Sequence, residues 1–460
     1  MIIGKDTLPF IKQYIDGINE KIKAHNGAGL TRIQSIWLGF VLMGILVTNS
    51  LCFERFKKSA CGDYKVAALS WMFRRAKIAW DLLLQASVMY IIESYGIKSG
   101  ILVIDDTSNE RSKNTTKIAN VHKMKDKGNG GFFNGQNIVF LLLVSQELTL
   151  PVGFKFFSPD PAKTAFSKED KILRKKGVAK EYRGVAPADN PDYPSKKELA
   201  ISMIETFVRH YPHVRIKATV ADAEYGKKDF MNKAYSITGD KQVISQIAKN
   251  QLINVNGVYI QTEKFFSNYQ GKMEEVELRY TNKKIRYCSA RFKIKSHEAK
   301  YYIVAIKYDE EPEYRYLIAK DMTWLDIDII KAYATRWLVE VFIQDWKSYE
   351  GWHELAKQQG IEGSDRGLTL SLLCDHMLYF HNDQLTLFKN KKQAVTVGSL
   401  REKVVMESLV NFVKKIVISD YPKQMLEELA ENIDQVFKLR ISLKHLRNFD
   451  NSKDAPMISA

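Results

Sequence analysis

The chain has 460 residues, of which 45% are hydrophobic and 27% are charged, as expected for a globular protein of roughly three domains. Lysine and arginine outnumber aspartate and glutamate by 69 to 53, so the net charge is +16. This excess favours a polyanionic partner, nucleic acid before an anionic membrane surface, although a basic protein without such a partner is the alternative. The cysteines and histidines show no metal-ligand spacing, which argues against a zinc site or a disulfide framework. The N-terminus lacks the layout of a signal peptide, and a reducing cytoplasm is expected.

Residues 1–95 are predicted to form a helical domain. Thr31-Arg-Ile-Gln34 has the form of a capping box and opens an apolar helix. The uncharged, apolar part of that helix, residues 36–47, is twelve residues long, which fits a buried core helix better than a membrane span. A later helical stretch carries basic residues around Arg74. A small bundle that presents a basic helix to DNA is one interpretation, and a purely structural bundle is the other.

Residues 96–249 change to the pattern of an α/β core. Apolar, β-branched runs predict five strands, at residues 100–104, 138–144, 152–157, 214–220 and 243–248. A helix is predicted between the third and the fourth of these strands. Asp105 and Asp106 follow the first strand directly, and Asp222 follows the fourth. The order strand, strand, strand, helix, strand is that of the ribonuclease H-like fold, with an aspartate at the end of the first and the fourth strand.

Two polar segments of this core, residues 107–137 and 158–195, are predicted to be long loops. The first is rich in lysine, including Lys113 and Lys127, and contains a glycine-rich patch, Gly128-Asn-Gly-Gly131. That patch lacks the strand–helix context of a phosphate-binding loop, so it is interpreted as flexible chain. The second segment holds five prolines and many basic residues. Contact with a DNA backbone is one interpretation of both segments, and solvated charge is the alternative.

The remaining chain divides into three parts. Short alternating runs in residues 250–313 predict a β-rich insertion, residues 314–385 return to the core, and residues 386–460 are again helical, with a loose tail after residue 450.

The most informative stretch is Tyr333-Ala-Thr-Arg336-Trp337-Leu-Val-Glu340-Val-Phe-Ile-Gln-Asp-Trp346-Lys347, called here the signature segment. It contains no glycine or proline and is predicted to be one helix. At about 100° per residue, Tyr333, Arg336, Glu340 and Lys347 share an arc of about 60°. One carboxylate between two cations suits a site that handles both a metal and phosphates. The alternative is a surface stripe with a local ion pair.

The spacing Tyr-x2-Arg-x3-Glu-x6-Lys resembles the signature of the DDE transposases of bacterial insertion sequences, in the group numbered as family four. The match includes a tryptophan directly after the arginine and another directly before the lysine. The resemblance implies Asp106, Asp222 and Glu340 as the catalytic, metal-binding residues. The family's Asp-Thr pattern selects Asp106 over its neighbour, and the family also carries a β insertion before its glutamate.

The chemistry of these residues fits that expectation. Cleavage or joining of a phosphodiester is catalysed by two Mg²⁺ or Mn²⁺ ions about 3.5–4 Å apart, which prefer carboxylate oxygens and water. Adjacent residues on a strand point to opposite faces, so only one of the two aspartates of the first strand is expected to enter the site. Arg336 and Lys347 are expected to bind phosphates, and Tyr333 a phosphate or the metal-bound water. Trp337 is expected either to stack on a flipped base, as the resemblance implies, or to pack in the core.

The resemblance therefore implies a cut-and-paste transposase. Such an enzyme binds the terminal inverted repeats of its element, cleaves them and joins them to target DNA, and family precedent implies a homodimer on double-stranded DNA. The expected location is the bacterial cytoplasm, at the nucleoid, without a membrane partner. Two alternatives stay open at this point: a non-catalytic DNA-binding protein derived from a transposase, and a nuclease on the same core that never joins ends.

Overall fold

A computed structural model describes residues 7–60, 64–111, 115–126, 130–278, 283–309, 311, 313–352 and 358–436. Several positions named above lie outside the described residues, namely Lys113, Lys127, Gly128, Asn129 and the C-terminal segment 437–460.

The centre of the fold is a mixed sheet that contains twelve strands within the described chain. The first six are β1 Ser99–Arg111, β2 Val121–Lys125, β3 Phe132–Val144, β4 Thr149–Phe157, β5 Arg215–Ala221 and β6 Gln242–Ile247. Strands β1 and β3 pair antiparallel, as do β3 and β4, whereas β1, β5 and β6 run parallel. The spatial order β4-β3-β1-β5-β6 is that of the predicted ribonuclease H-like core. The α/β fold class is confirmed.

The predicted β insertion is continuous with this sheet. Its strands are β7 Leu252–Val255, β8 Val258–Gln261, β9 Glu274–Leu278, β10 Lys283–Ile294 and β11 Ala299–Tyr308. The next strand, β12 Arg315–Ala319, pairs antiparallel both with β11 and with the core strand β6. The inserted strands therefore extend the core sheet at its β6 edge.

Both segments that were predicted to be loops contain regular secondary structure, so the prediction was wrong for part of each segment. Strand β1 continues to Arg111, and β3 begins already at Phe132, so the two strands pair as far as Arg111 and Asn134. These strand ends are polar, and they therefore lack the apolar run by which a buried strand is recognised. The second segment contains helix α6, Pro161–Lys175, whose N-cap Asp160 accepts hydrogen bonds from two backbone amides of the first turn. The apolar residues Phe166 and Leu173 lie seven positions apart, on one side of α6, but no side chain of this helix is buried.

Nine further helices flank the sheet at the two ends of the described chain. Near the N-terminus these are α1 Pro9–Asn26, α2 Arg32–Thr48, α3 Phe53–Ser59, α4 Val66–Arg74 and α5 Trp80–Ser94. Near the C-terminus they are α12 Gly360–Leu378, α13 Asn382–Lys389, α14 Val397–Val417 and α15 Pro422–Val436. Helices α2 and α5 both pack on α12, α2 also packs on α14, and α3 packs on α15. The two helical ends of the chain therefore form one packed layer.

Helix α2 is the centre of this layer. The Thr31–Gln34 capping box forms as predicted, with both of its reciprocal hydrogen bonds. Every residue from Trp37 to Thr48 is buried, which agrees with the predicted core helix. Among the described residues, no single helix is long and apolar enough to cross a membrane, although α2 and α3, bent by 87°, pass such a test together.

Helices α7 Lys196–His210, α8 Lys228–Ile237, α10 Asp326–Ala334 and α11 Trp337–Tyr349 complete the core, and α9 Thr262–Ser267 lies in the insertion. The signature segment was predicted to be one helix, but it is split between α10 and α11. At the junction, Thr335 donates its hydroxyl hydrogen bond to the Ala332 carbonyl, 2.7 Å away, and Arg336 N bonds Tyr333 O three residues back. Thr335 and Arg336 keep right-handed helical dihedral angles, so the interruption is a short turn with hydrogen bonds between residues three apart.

Candidate active site

The acidic residues meet because two strands run parallel and end together. In the β1–β5 register, Ile104 lies opposite Ala221, so Asp105 and Asp222 follow at neighbouring positions of one sheet edge. The carboxyl ends of parallel strands are the usual place of a site in such sheets. Asp222 also accepts a hydrogen bond from Glu224 N at 2.9 Å, which fixes the short turn after β5.

The two adjacent aspartates of β1 face different elements. Asp105 Oδ2 accepts a hydrogen bond from Arg336 Nη1 at 2.8 Å, on the side of the signature segment. Asp106 Oδ2 instead accepts hydrogen bonds from Lys196 Nζ of α7 at 2.9 Å and from Asn137 Nδ2 of β3 at 2.7 Å. The alternation of a strand thus separates the pair, and it places Asp105, rather than Asp106, on the side of Glu340. The choice of Asp106 stays a prediction, and Asp105 becomes a second candidate.

Arg336 connects the candidate acids. Its guanidinium forms ion pairs with Asp105 at 2.8 Å and with Glu340 at 2.5 Å. The Glu340 side chain is 51% exposed, so its carboxylate is accessible from solvent. The forked guanidinium holds both carboxylates at once, which a lysine ammonium would do with less geometric control.

The environment of the aspartates makes their charge costly. Burial raises the pKa of Asp105 to about 6, although Arg336 lowers it in part. Burial also raises the pKa of Asp222, and the nearby charges of Asp106 and Glu224 raise it further, against the lowering effect of the hydrogen bond from Glu224 N. A cation placed among these carboxylates would therefore be bound favourably.

Lys347 fastens α11 to β1. Its ammonium donates hydrogen bonds to Thr107 Oγ1 at 2.7 Å and to Ser108 O at 2.8 Å, and burial lowers its pKa. Thr107 lies two residues beyond Asp105, on the same face of the strand. The predicted contact of Lys347 with a phosphate stays a prediction.

The two aromatic residues predicted to bind DNA differ in exposure. Tyr333 is 6% exposed, its hydroxyl accepts a hydrogen bond from Gln246 Nε2 at 2.6 Å, and burial raises its pKa to about 12. The Tyr333 side chain therefore lies in the interior next to the site and is not part of its exposed surface. Trp337 is 44% exposed at the start of α11, so core packing does not describe it. Its predicted stacking on a base stays a prediction.

Sequence reasoning missed Lys196 and Asn137. Both contact Asp106, but Lys196 is one of many lysines near a segment rich in basic residues, and Asn137 belongs to the polar first part of β3, which was predicted to be loop. No spacing rule distinguishes either residue from its neighbours. Only the packing of α7 and β3 around β1 identifies them.

The donor set suits a hard divalent cation, because every candidate ligand is a carboxylate. The candidates are Asp105, Asp106, Asp222, Glu224 and Glu340. Within the described residues, no three ligating side chains are arranged around one point as a metal site. Arg336 and Lys196 together form ion pairs with four of these five carboxylates. The carboxylates therefore match the ligand preference of a hard divalent cation. In this structure, however, most of them form ion pairs with basic side chains.

Comparison with known proteins supports a nuclease core. Residues 58–247 match the family described as "DDE superfamily endonuclease". That part of the chain is therefore similar to a DDE endonuclease domain. The matched segment includes the aspartates of β1 and Asp222, and it ends before Glu340.

Two further comparisons add less. A search of curated proteins found no match. Among solved structures, the chain is similar to a piggyBac transposase, described as a cryo-EM structure of the synaptic complex with hairpin DNA, at a TM-score of 0.42 and 10% identity. That likeness covers 93% of this chain and 83% of the other.

Proposed function

We propose that this protein is a DNA transposase whose acidic site cuts phosphodiester bonds and joins DNA ends. The observation that carries the proposal is the meeting of the β1 aspartates with Asp222 at one sheet edge, joined through Arg336 to Glu340. The match of residues 58–247 to DDE endonucleases supports the nuclease part. The signature spacing that resembles family four of the bacterial insertion sequences supports the transposase part.

Each acidic residue has a proposed role. Asp222, Glu340 and one aspartate of β1 would hold two Mg²⁺ or Mn²⁺ ions, and ions bound there would supply an activated oxygen nucleophile and compensate charge on the phosphate. We assign the β1 position to Asp105, because it faces Arg336 and Glu340, with Asp106 as the alternative that the resemblance implies. Arg336 orients these carboxylates and, once they bind metal, offers its donors to a DNA phosphate.

The proposed DNA contacts are based on the positive net charge of the chain and on the exposed ring of Trp337. The net charge of +16 suits a polyanionic partner, and the half-exposed Trp337 is positioned to stack on a base beside the site. We propose terminal inverted repeats and target DNA as the bound duplexes, with residues 1–95 as the end-binding domain. A homodimer at the bacterial nucleoid is part of the same proposal.

A DNA nuclease that does not join ends is the second candidate. The matched family is described only as an endonuclease, and its match ends before Glu340. A strand-transfer assay with a pre-cut end separates the two functions, because only a transposase joins that end to a second duplex.

The acid substitutions test the proposal. We expect Asp222→Asn and Glu340→Gln each to lower Mg²⁺-dependent cutting of the flanking inverted repeat roughly a thousandfold, since metal catalysis contributes several kcal/mol. Binding of the same DNA, measured by fluorescence anisotropy in Ca²⁺, should change little. Asp229→Asn, an exposed acid of α8, is the matched control. Cutting retained in the Asp222 or Glu340 variant would refute the site.

A further inference from the structure

Lys196 occupies an unusual position at the edge of the acidic site. Its ammonium forms ion pairs with Asp106 at 2.9 Å and with Glu224 at 3.1 Å. The Lys196 side chain is only 17% exposed, and its ammonium lies 5.7 Å from the centre of the Phe157 ring. A surface lysine would leave its charge in water, so this burial needs an explanation.

The helix itself does not explain the position. Lys196 is the first residue of α7, and a cation at a helix N-terminus is disfavoured by the helix dipole. The start of α7 is fixed by a capping box, in which Ser195 and Glu198 exchange two hydrogen bonds. That box sets the direction in which the Lys196 side chain leaves the backbone, towards the two carboxylates.

The carboxylates that bind Lys196 belong to the same electrostatic group as Asp222. Glu224 donates its backbone N–H to the Asp222 carboxylate at 2.9 Å, and Asp106 follows Asp105, whose neighbour Ile104 lies opposite Ala221 in the sheet. Several carboxylates this close repel one another unless a cation lies among them. In the described chain, Lys196 contributes that positive charge on the α7 side and Arg336 contributes it on the side of the signature segment.

We propose that Lys196 is a built-in counter-cation, which neutralises the acidic site in the metal-free protein and competes there with the divalent ion. The ammonium pairs with Asp106 and Glu224 in the metal-free protein, and its positive charge beside the acidic site opposes the binding of a divalent cation there. The inference rests on the proposed function, because it requires that the acidic site bind a divalent ion.

The test measures Mn²⁺ affinity without DNA, so that no cutting enters the result. We expect Lys196→Met to bind Mn²⁺ about fivefold more tightly than the wild type by isothermal titration calorimetry, the size of effect that a partly screened ion pair produces. Lys196→Arg keeps the charge and should bind as the wild type does. Lys197→Met removes the same charge one residue further along α7 and is the matched control.

Four results are possible, and each decides the matter. Tighter Mn²⁺ binding in Lys196→Met, with unchanged binding in Lys197→Met, supports the proposal. Equal or weaker binding in Lys196→Met overturns it, and so does an equal gain in both variants. A wild-type protein that binds no Mn²⁺ overturns both this inference and the proposed function. Lys196→Gln, which keeps a polar side chain at the end of the stem, gives the same comparison if the methionine variant does not fold.

Discussion

At the scale of single residues, the two adjacent aspartates of β1 contact different parts of the protein. Asp105 and Asp106 are neighbours in sequence, yet one binds Arg336 and the other binds Lys196. Because a strand alternates its side chains, a shift of one residue moves a carboxylate to the other face of the sheet. If one of the two aspartates is the metal ligand, its identity therefore determines which face of the sheet forms the active site.

A paired substitution tests that choice. We expect Asp105→Asn to lower metal-dependent cutting roughly a thousandfold, because Asp105 lies on the side of Glu340. Asp106→Asn should cost only about tenfold, the usual effect of losing a supporting hydrogen bond beside a metal site. Initial rates of cutting at saturating Mg²⁺ measure both. The reverse order of the two effects would restore Asp106 as the ligand, as the resemblance implies.

At the scale of secondary-structure elements, α11 has one face for the site and one for the core. Trp337 is 44% exposed beside Arg336, whereas Trp346 is fully buried and donates a hydrogen bond from Nε1 to Ser371 Oγ at 2.9 Å. Trp346 also stacks on Trp352 and contacts the Phe140 ring of β3 edge-on. Two tryptophans that are nine positions apart on one helix therefore occupy different environments, one exposed and one buried.

The two tryptophans should respond differently to removal. We expect Trp346→Ala to lower the free energy of unfolding by about 3–5 kcal/mol, because it leaves a cavity in the core. Trp337→Ala should change it by about 0.5 kcal/mol or less, as exposed positions do, and should weaken binding of DNA with unpaired bases. Urea unfolding and anisotropy titrations measure the two effects. A large loss of stability in Trp337→Ala would contradict the exposed position of its ring.

The split of the signature segment also belongs to this scale. Arg336 lies between α10 and α11, and the short break lets it bond both Asp105 and Glu340. Tyr333, on the last turn of α10, is buried against Gln246 of β6. The junction thus lies between the buried Tyr333 and Arg336, which pairs with the candidate acids.

At the scale of the whole molecule, the helical layer is joined to the sheet by a buried chain of hydrogen bonds. Tyr14 bonds Ser87 at 2.6 Å, Ser87 bonds His376 Nδ1 at 2.7 Å, and His376 Nε2 bonds the Pro151 carbonyl of β4 at 2.9 Å. Each member comes from a different element: α1, α5, α12 and β4. The ends of the chain and the core sheet therefore depend on one another for their buried polar groups.

The same layer contains a buried pair of carboxyl groups. Glu350, at the end of α11, and Asp375 of α12 are both buried and interact with each other. Burial raises the pKa of both groups above the ordinary carboxyl range, and the charge of Asp345 raises both further. A carboxyl whose pKa is raised by folding stabilises the protein while it is protonated, below its unfolded pKa near 4. That stability is lost as the pH rises through the raised value.

Asp375→Asn should remove much of this pH dependence. We expect the free energy of unfolding of the wild type to fall as the pH rises from about 4 through the raised pKa of Asp375, about 7, and that of the variant to fall less over the same range. Guanidinium unfolding at several pH values measures the difference. The exposed Asp16→Asn is the control and should follow the wild type. An identical slope in Asp375→Asn would show that this carboxyl does not titrate with folding.

The sequence by itself determined the order of the core strands and helices, and it identified the candidate acidic residues by their positions in the chain. Buried strands such as β3 and β5 are recognisable because their apolar runs reflect burial that is local to each strand. Asp222 and Glu340 could be named because they stand at fixed points in such patterns, a strand end and a signature spacing. The end of β1 was missed because it has no apolar run, and helix α6 was missed although its apolar residues recur at helical spacing, because prolines and basic residues dominate the segment around it.

Only the tertiary structure decided which groups meet. The face of Asp105, the burial of Tyr333 and the placement of Lys196 each depend on contacts between segments far apart along the chain. Periodicity describes one element at a time, and it carries no information about the partner that packs against that element. For this reason the candidate acids could be named from the sequence, whereas their pairing with Arg336 and Lys196 could be found only in the folded chain.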